Sequence, residues 1–101
     1  MKKRVLVCEP DPDVRQLLSL TLERLGHEAV SQGDVDVVLM EPACDLAQRA
    51  LRRLRRPGLP VVCLSIHPRE AGYEPPETVA YLMKPIKKDR LAAALTLVLA
   101  P

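Results

Sequence analysis

The sequence contains no tryptophan and no phenylalanine, and its only tyrosines are Tyr73 and Tyr81. A core without large rings must be assembled from Leu, Val, Ile, Ala and Met, and stacking platforms for single-stranded nucleic acid are missing. Cysteine is scarce: Cys8, Cys44 and Cys63 are odd in number, irregularly spaced and form no CxxC pair. That pattern argues against a disulfide framework or a structural zinc site, and the three read as buried, reduced thiols. No apolar run approaches the ~20 residues that span a bilayer. The run after Met1-Lys2-Lys3-Arg4 is broken by Glu9, too early for a signal peptide. A cytoplasmic protein with no membrane partner is expected. The formal charge of +2 selects no polyanionic partner.

What is present is a soluble globular composition, 48% hydrophobic and 28% charged over 101 residues. That length predicts one domain, residues 1–101, with a modest core. Arg4-Val5-Leu6-Val7-Cys8 is a β-prone run buried on both faces. Glu9-Pro10-Asp11-Pro12-Asp13 follows as a breaker-rich acidic loop in which Asp11 is a good N-cap and Pro12 a good first helical residue. The helix after it places Val14, Leu17, Leu18, Thr21, Leu22 and Leu25 on an apolar stripe and stops at Gly26.

Val35 to Met40 reads as a second buried strand, with Glu41 at its C-terminal end and Pro42 closing it. A helix starting at Cys44 or Asp45 sets Ala47, Ala50, Leu51 and Leu54 against an opposite face of Arg49, Arg52, Arg53 and Arg56, and Pro57-Gly58 stops it. Pro60 to Ser65 is the third strand and Thr78 to Met83 the fourth, with a last helix over 88–99 facing inward through Leu91, Ala94, Leu95 and Val98. Residues 66–77 hold Pro68, Gly72, Pro75 and Pro76, too many breakers for a good helix. Strands alternating with helices predict an α/β fold: a small open parallel sheet of four to five strands with flanking helices. Glu28-Ala29-Val30 is an exception. A parallel crossover needs a dozen or more residues, so a full parallel strand is excluded there and a short edge excursion is expected.

In such a sheet ligands bind outside the C-terminal strand ends. The sequence puts Glu9 and Asp11 after the first strand, Glu41 after the second, Ser65 at the end of the third and Lys84 after the fourth. Three carboxylates, a hydroxyl and an ammonium therefore converge on one edge. They could hold a divalent cation or form a charge-balanced network, in which Lys84 pairs with Glu41 and Glu9.

Val5-Leu6-Val7-Cys8-Glu9-Pro10-Asp11-Pro12-Asp13-Val14-Arg15, Asp36 to Pro42, Pro60 to Ser65, and Ala80-Tyr81-Leu82-Met83-Lys84-Pro85-Ile86 together resemble a response-regulator receiver domain, a flavodoxin-like signalling fold. The Lys-Pro pair shortly after a tyrosine is the most diagnostic piece, and only residues 27–34 and 66–77 lie outside the likeness. In that family an acidic pair and an Asp bind magnesium, and the Asp accepts a phosphoryl group from a histidine kinase. A Ser or Thr, an aromatic residue and a Lys complete the site. By this resemblance Glu9 matches the first acid, Pro10 falls where the second belongs, and Glu41 falls at the phosphoacceptor. Ser65, Tyr81 and Lys84 match the remaining three.

The departures imply a degenerate receiver, non-enzymatic and without a metal cofactor. Pro10 supplies no ligand oxygen, and Glu41 is one methylene longer than aspartate, so its carboxylate reaches toward Lys84 into the space of a phosphoryl group. The family's second strand and second helix read as reduced or missing, as does its fourth helix, which falls on the proline-rich stretch. The expected function is phosphorylation-independent docking to a protein partner in two-component signalling, with no attached output domain. An edge strand bared by the missing second strand would invite a homodimer, and Tyr81 serves either a docking surface or half-buried packing. The alternatives are a phospho-accepting receiver that uses Glu41, and a cysteine phosphotransfer or phosphatase domain that uses Cys8. For the latter, the loop from Cys8 to Arg15 is one residue too long, acidic, and short of N–H groups at its two prolines. The arginine-rich helix reads as a solvated face and not a nucleic-acid site, since acidic residues balance its charge elsewhere.

Overall fold

A computed structural model describes residues 2–54 and 58–99. The arginine face at Arg56 and the helix stop at Pro57 lie outside the described residues. The chain runs β1 (Arg4–Cys8), α1 (Pro12–Arg24), β2 (Glu28–Val30), β3 (Val37–Met40), α2 (Asp45–Leu54), β4 (Val61–Ser65), a 3-10 turn (Arg69–Ala71), β5 (Thr78–Met83) and α3 (Lys88–Val98). The five strands form one parallel sheet in the order β2-β1-β3-β4-β5.

Local chemistry sets the element boundaries. Asp11 is extended, and its Oδ1 accepts from the N–H groups of Asp13 and Val14 at 2.9 and 3.4 Å, satisfying two orphan donors at the start of α1. Pro12 follows where its missing N–H costs nothing. Gly26, at φ 85°, lets the chain leave the helix just past its C-cap at Leu25. Every residue of β3 and β4 is buried, as central strands covered on both faces must be.

Two apolar clusters fill the two sides of the sheet. On one, α1 and α3 cover Val5, Val37, Leu39, Val62 and Leu64 with Leu18, Leu22, Leu91 and Leu95. On the other, α2 alone contributes, setting Ala47, Leu51 and Leu54 against Leu6, Val38, Met40, Val61 and Cys63. Val79, Met83, Ile66 and Tyr73 are exposed.

Three expectations need correction. Glu28–Val30 is a three-residue strand parallel to β1, where the sequence predicts a short edge excursion at most, and the second strand is reduced, as the fold reading allows. The dozen-residue rule applies to full strands, whose chain must return from one sheet end to the other. Here Val30 lies beside Leu6 and Val37 beside Val5, so residues 31–36 step back one position and cross β1 sideways. That crossing is roughly 10 Å, within the reach of a six-residue segment, about 20 Å when extended. As expected, no helix lies between β2 and β3, and the position of a fourth helix holds only the 3-10 turn.

In α1, Leu17 and Leu25 are largely exposed while Leu18, Thr21 and Leu22 are buried. Leu17 sits at the margin of the stripe, and Leu25 lies past the helix end, beyond the cover of the sheet. Of the cysteines only Cys63 is buried; Cys8 and Cys44 are half-buried, and all three are free thiols.

Candidate functional site

The C-terminal ends of β1, β3, β4 and β5 bring Glu9, Glu41, Ser65 and Lys84 together, as their places in the sequence predicted. Backbone bonds fix the frame: Glu41 donates its N–H to the Cys8 carbonyl at 3.1 Å, and Lys84 donates to the Ser65 carbonyl at 2.8 Å. Inside it, the Lys84 ammonium lies 2.5 Å from Glu9 Oε1 and 3.4 Å from Glu41 Oε1. The side chains are 14%, 1% and 9% exposed respectively, so this ion triad is shielded from water. Each glutamate keeps its second oxygen for its own loop: Glu9 Oε2 accepts from Asp11 N–H at 3.2 Å, Glu41 Oε2 from Ala43 N–H at 3.3 Å. Lys84 is the sole partner of Glu9 Oε1 among the described residues.

Asp11 stands apart. It is exposed and its carboxylate caps α1, so it does not join the acidic pocket with Glu9. Ser65 and Tyr81 do something the sequence could not show: both bind the backbone of His67. The buried Ser65 hydroxyl accepts from His67 N–H at 3.0 Å, and the Tyr81 hydroxyl donates to the His67 carbonyl at 2.7 Å. The segment after β4 is thus pinned from two sides. Tyr81 is half-buried, joined to the α2-side cluster.

Arg15 was also missed; its Nη1 donates to the Glu9 carbonyl at 3.1 Å. It lies one turn beyond the Asp11 cap, a spacing that points it back at the β1 loop. A cavity of about 320 Å³ opens beside the triad, lined by Val7, Cys8, Glu9, Pro10, Arg15, Cys44, Leu46 and Ala47. Burial, and to a lesser degree the neighbouring Cys44, push the Cys8 thiol up to about 11. A thiol so held is a poor nucleophile at neutral pH, which counts against the cysteine phosphatase alternative.

A magnesium ion takes near-octahedral oxygen donors, usually one or two carboxylates and several waters. Here the converging donors are two carboxylate oxygens already bridged by an ammonium, and Pro10 offers no side-chain oxygen. Among the described residues no three His, Cys, Asp or Glu side chains come together as a metal site. The residues present do not fit the ion.

Solved structures supply the comparison. The receiver domain of a sensor histidine kinase from Pseudomonas aeruginosa, solved with magnesium coordinated in its active-site cleft, superposes with a TM-score of 0.79 at 18% identity, covering 100% of both chains. The receiver domain of a response regulator from Erythrobacter litoralis gives 0.78 at 18% identity, over 97% of this chain and 90% of that one. The chain has the receiver fold. A sensor protein from Polaromonas gives a TM-score of 0.76 at 27% identity, over 95% of this chain and 94% of its own. No protein-family model matches the chain, and no curated protein matches it. In this receiver fold the ion triad occupies the edge of the sheet where ligands bind in open parallel sheets. No described helix is long and apolar enough to cross a membrane.

Proposed function

We propose that the chain is a degenerate receiver that serves signal transduction by docking to a protein partner, without phosphorylation and without a magnesium cofactor. The observation that carries this reading is the Lys84 ammonium held between Glu9 and Glu41. Glu41 falls, by resemblance, where a receiver carries its phosphoacceptor, and it is buried and already bonded to a cation. Phosphoryl transfer depends on in-line access and on metal charge at the acceptor. Access is closed by burial, and the place of the metal charge is taken by Lys84. Glu41 then acts as a permanent charged stand-in that fixes one conformation, and the pinning of His67 by Ser65 and Tyr81 supports the same reading.

The direct test is intact mass after incubation with magnesium and acetyl phosphate, beside an untreated control. No change in mass is expected. A gain of one phosphoryl group that is lost on mild base would overturn the proposal and make Glu41 a working acceptor. The stand-in role has its own check: Glu41→Gln must lower stability or change partner binding, and if both stay as in the parent the role is lost.

A further inference from the structure

Basic charge is gathered in one stretch of the chain. Residues 46–69 contain Arg49, Arg52, Arg53, Arg55, Arg56 and Arg69 and no aspartate or glutamate. Arg49, Arg52 and Arg53 are exposed on α2, on the face opposite the Ala47, Leu51 and Leu54 that pack on the sheet. Among the described residues the ion pairs are made by Lys2, Arg4, Arg69 and Lys84, so Arg49 and Arg53 meet no carboxylate of their own chain. The last turn of a helix favours cations, which accounts for the sign of Arg52 and Arg53. Arg49 lies mid-helix and has no such reason.

α2 stands as a ridge between two cavities. One is the cavity of about 320 Å³ beside the ion triad, to which α2 contributes Leu46 and Ala47. The other, of about 360 Å³, lies on the opposite flank, where Gln48, Leu51 and Arg52 face Tyr73, Pro75 and Pro76. Its far wall is tied to the helix: Gln48 Nε2 donates to the carbonyls of Pro42 and Tyr73 at 2.7 and 3.1 Å. The Tyr73 ring is backed by that of His67, with centroids 5.3 Å apart. Apolar surface is open on both flanks, with Leu46 72% and Tyr73 47% exposed.

We infer that this ridge is the surface on which the partner docks, and that the partner presents a short, acidic, amphipathic helix. The inference rests on the docking function proposed above and names its surface. Charge complementarity selects the occupant. Arg52 and Arg53 follow Arg49 by three and four residues, so each lies about 5–6 Å from it between Cβ atoms. Carboxylates at the same spacing on a second helix meet them one for one, each able to form a forked, two-bond pair. The flanks then take apolar side chains beside those carboxylates, one against Leu46 and one in the groove between Leu51 and Tyr73. Other polyanions fit the ridge less well. Asp45 on the first turn of α2 and Glu77 on the groove wall bound it with negative charge, which repels an extended anion such as a nucleic acid duplex. A lipid surface needs a free apolar helix face, and that of α2 is packed on the sheet.

The test uses the full chain labelled with nitrogen-15 and a capped peptide of about fourteen residues, four helical turns. The peptide carries glutamates three and four apart with leucines on one flank. Titration at low salt is expected to shift the amides of Leu46, Gln48, Arg49, Arg52, Arg53 and Tyr73, with micromolar affinity. Salt at about 1 M, where the screening length is about 3 Å, should weaken it severalfold. Arg49→Gln/Arg53→Gln should weaken it at least tenfold with an unchanged far-ultraviolet spectrum, since both side chains are in water and glutamine suits a helix. Arg49→Lys/Arg53→Lys should recover part of the loss. A peptide that shifts none of these amides overturns the inference. So does equal binding of a peptide with serine in place of leucine, because the attraction is then charge alone. Tighter binding of a short DNA duplex through the same arginines overturns it as well. The two readings fail separately: peptide binding by a chain that gains a phosphoryl group keeps the surface and removes the proposed function, and an unphosphorylated chain that does not bind does the reverse.

Discussion

Lys84→Met is the most informative single change, because it removes a cation from between two carboxylates that are almost wholly out of water. Methionine keeps the length and apolar stem of lysine, so packing is preserved and the lost element is charge. Glu9, with a side chain 1% exposed, is left with Oε1 facing no partner among the described residues, and Glu41 faces it with the same sign. Breaking a buried pair by removing one partner costs ~3–5 kcal/mol, mostly the desolvation of the charge left behind. The lower end applies, since Lys84 retains some contact with water. A domain of this size has ~5–15 kcal/mol in all, so the variant loses a large share of its stability. At ~4–8 °C per kcal/mol the melting temperature drops by at least about 12 °C. Urea denaturation followed by circular dichroism measures the loss, and a second variant separates charge from shape. Adding Glu9→Gln and Glu41→Gln to Lys84→Met should recover a large part of the loss, because no unpaired charge then remains buried. A loss under about 1 kcal/mol for Lys84→Met, in the range of an exposed ion pair, would refute the reasoning: the ammonium would be solvated and the triad would hold nothing.

The other predictions are smaller and local. Asp11→Ala removes the α1 cap and should cost about 1 kcal/mol in chemical denaturation, with no effect on the triad. Tyr81→Phe deletes the bond to the His67 carbonyl, which should cost ~0.5–1.5 kcal/mol and speed amide exchange after β4; unchanged exchange would mean that Ser65 alone holds the segment. Cys8 should stay unlabelled by iodoacetamide near pH 7 and react only as pH nears about 11. Because the folded thiol titrates above its ordinary 9.0, whatever Cys8 contributes to stability is fully present below pH 9 and lost as pH rises through about 11, visible as an alkaline fall in urea midpoint that Cys8→Ala reduces.

The central strands and the convergence of Glu9, Glu41, Ser65 and Lys84 were legible because they depend on short-range patterns: all-apolar runs, the prolines and glycines that end them, and the rule that sites lie at C-terminal strand ends. The Asp11 cap was equally plain, and its cost was visible too, since a carboxylate that caps a helix cannot also serve a pocket. What could not be read depended on distances through space. The direction of β2 turned on its register against β1, which its three residues do not encode. The exposure of Leu17 turned on how wide a strip of α1 the sheet covers. The meeting of Ser65 and Tyr81 on one residue, His67, required the path of a segment that carries no regular pattern.

The reduction of the fold bears on the proposed function. Replacing two helices of the receiver fold with residues 31–36 and the 66–77 segment strips cover from the α2 side of the sheet. A two-state switch needs groups that exchange one set of partners for another with a free-energy gap that a ligand can reverse. Ser65 and Tyr81 instead bind the N–H and the carbonyl of the same residue, and the Glu41 carboxylate, unlike a phosphoryl group, is never removed.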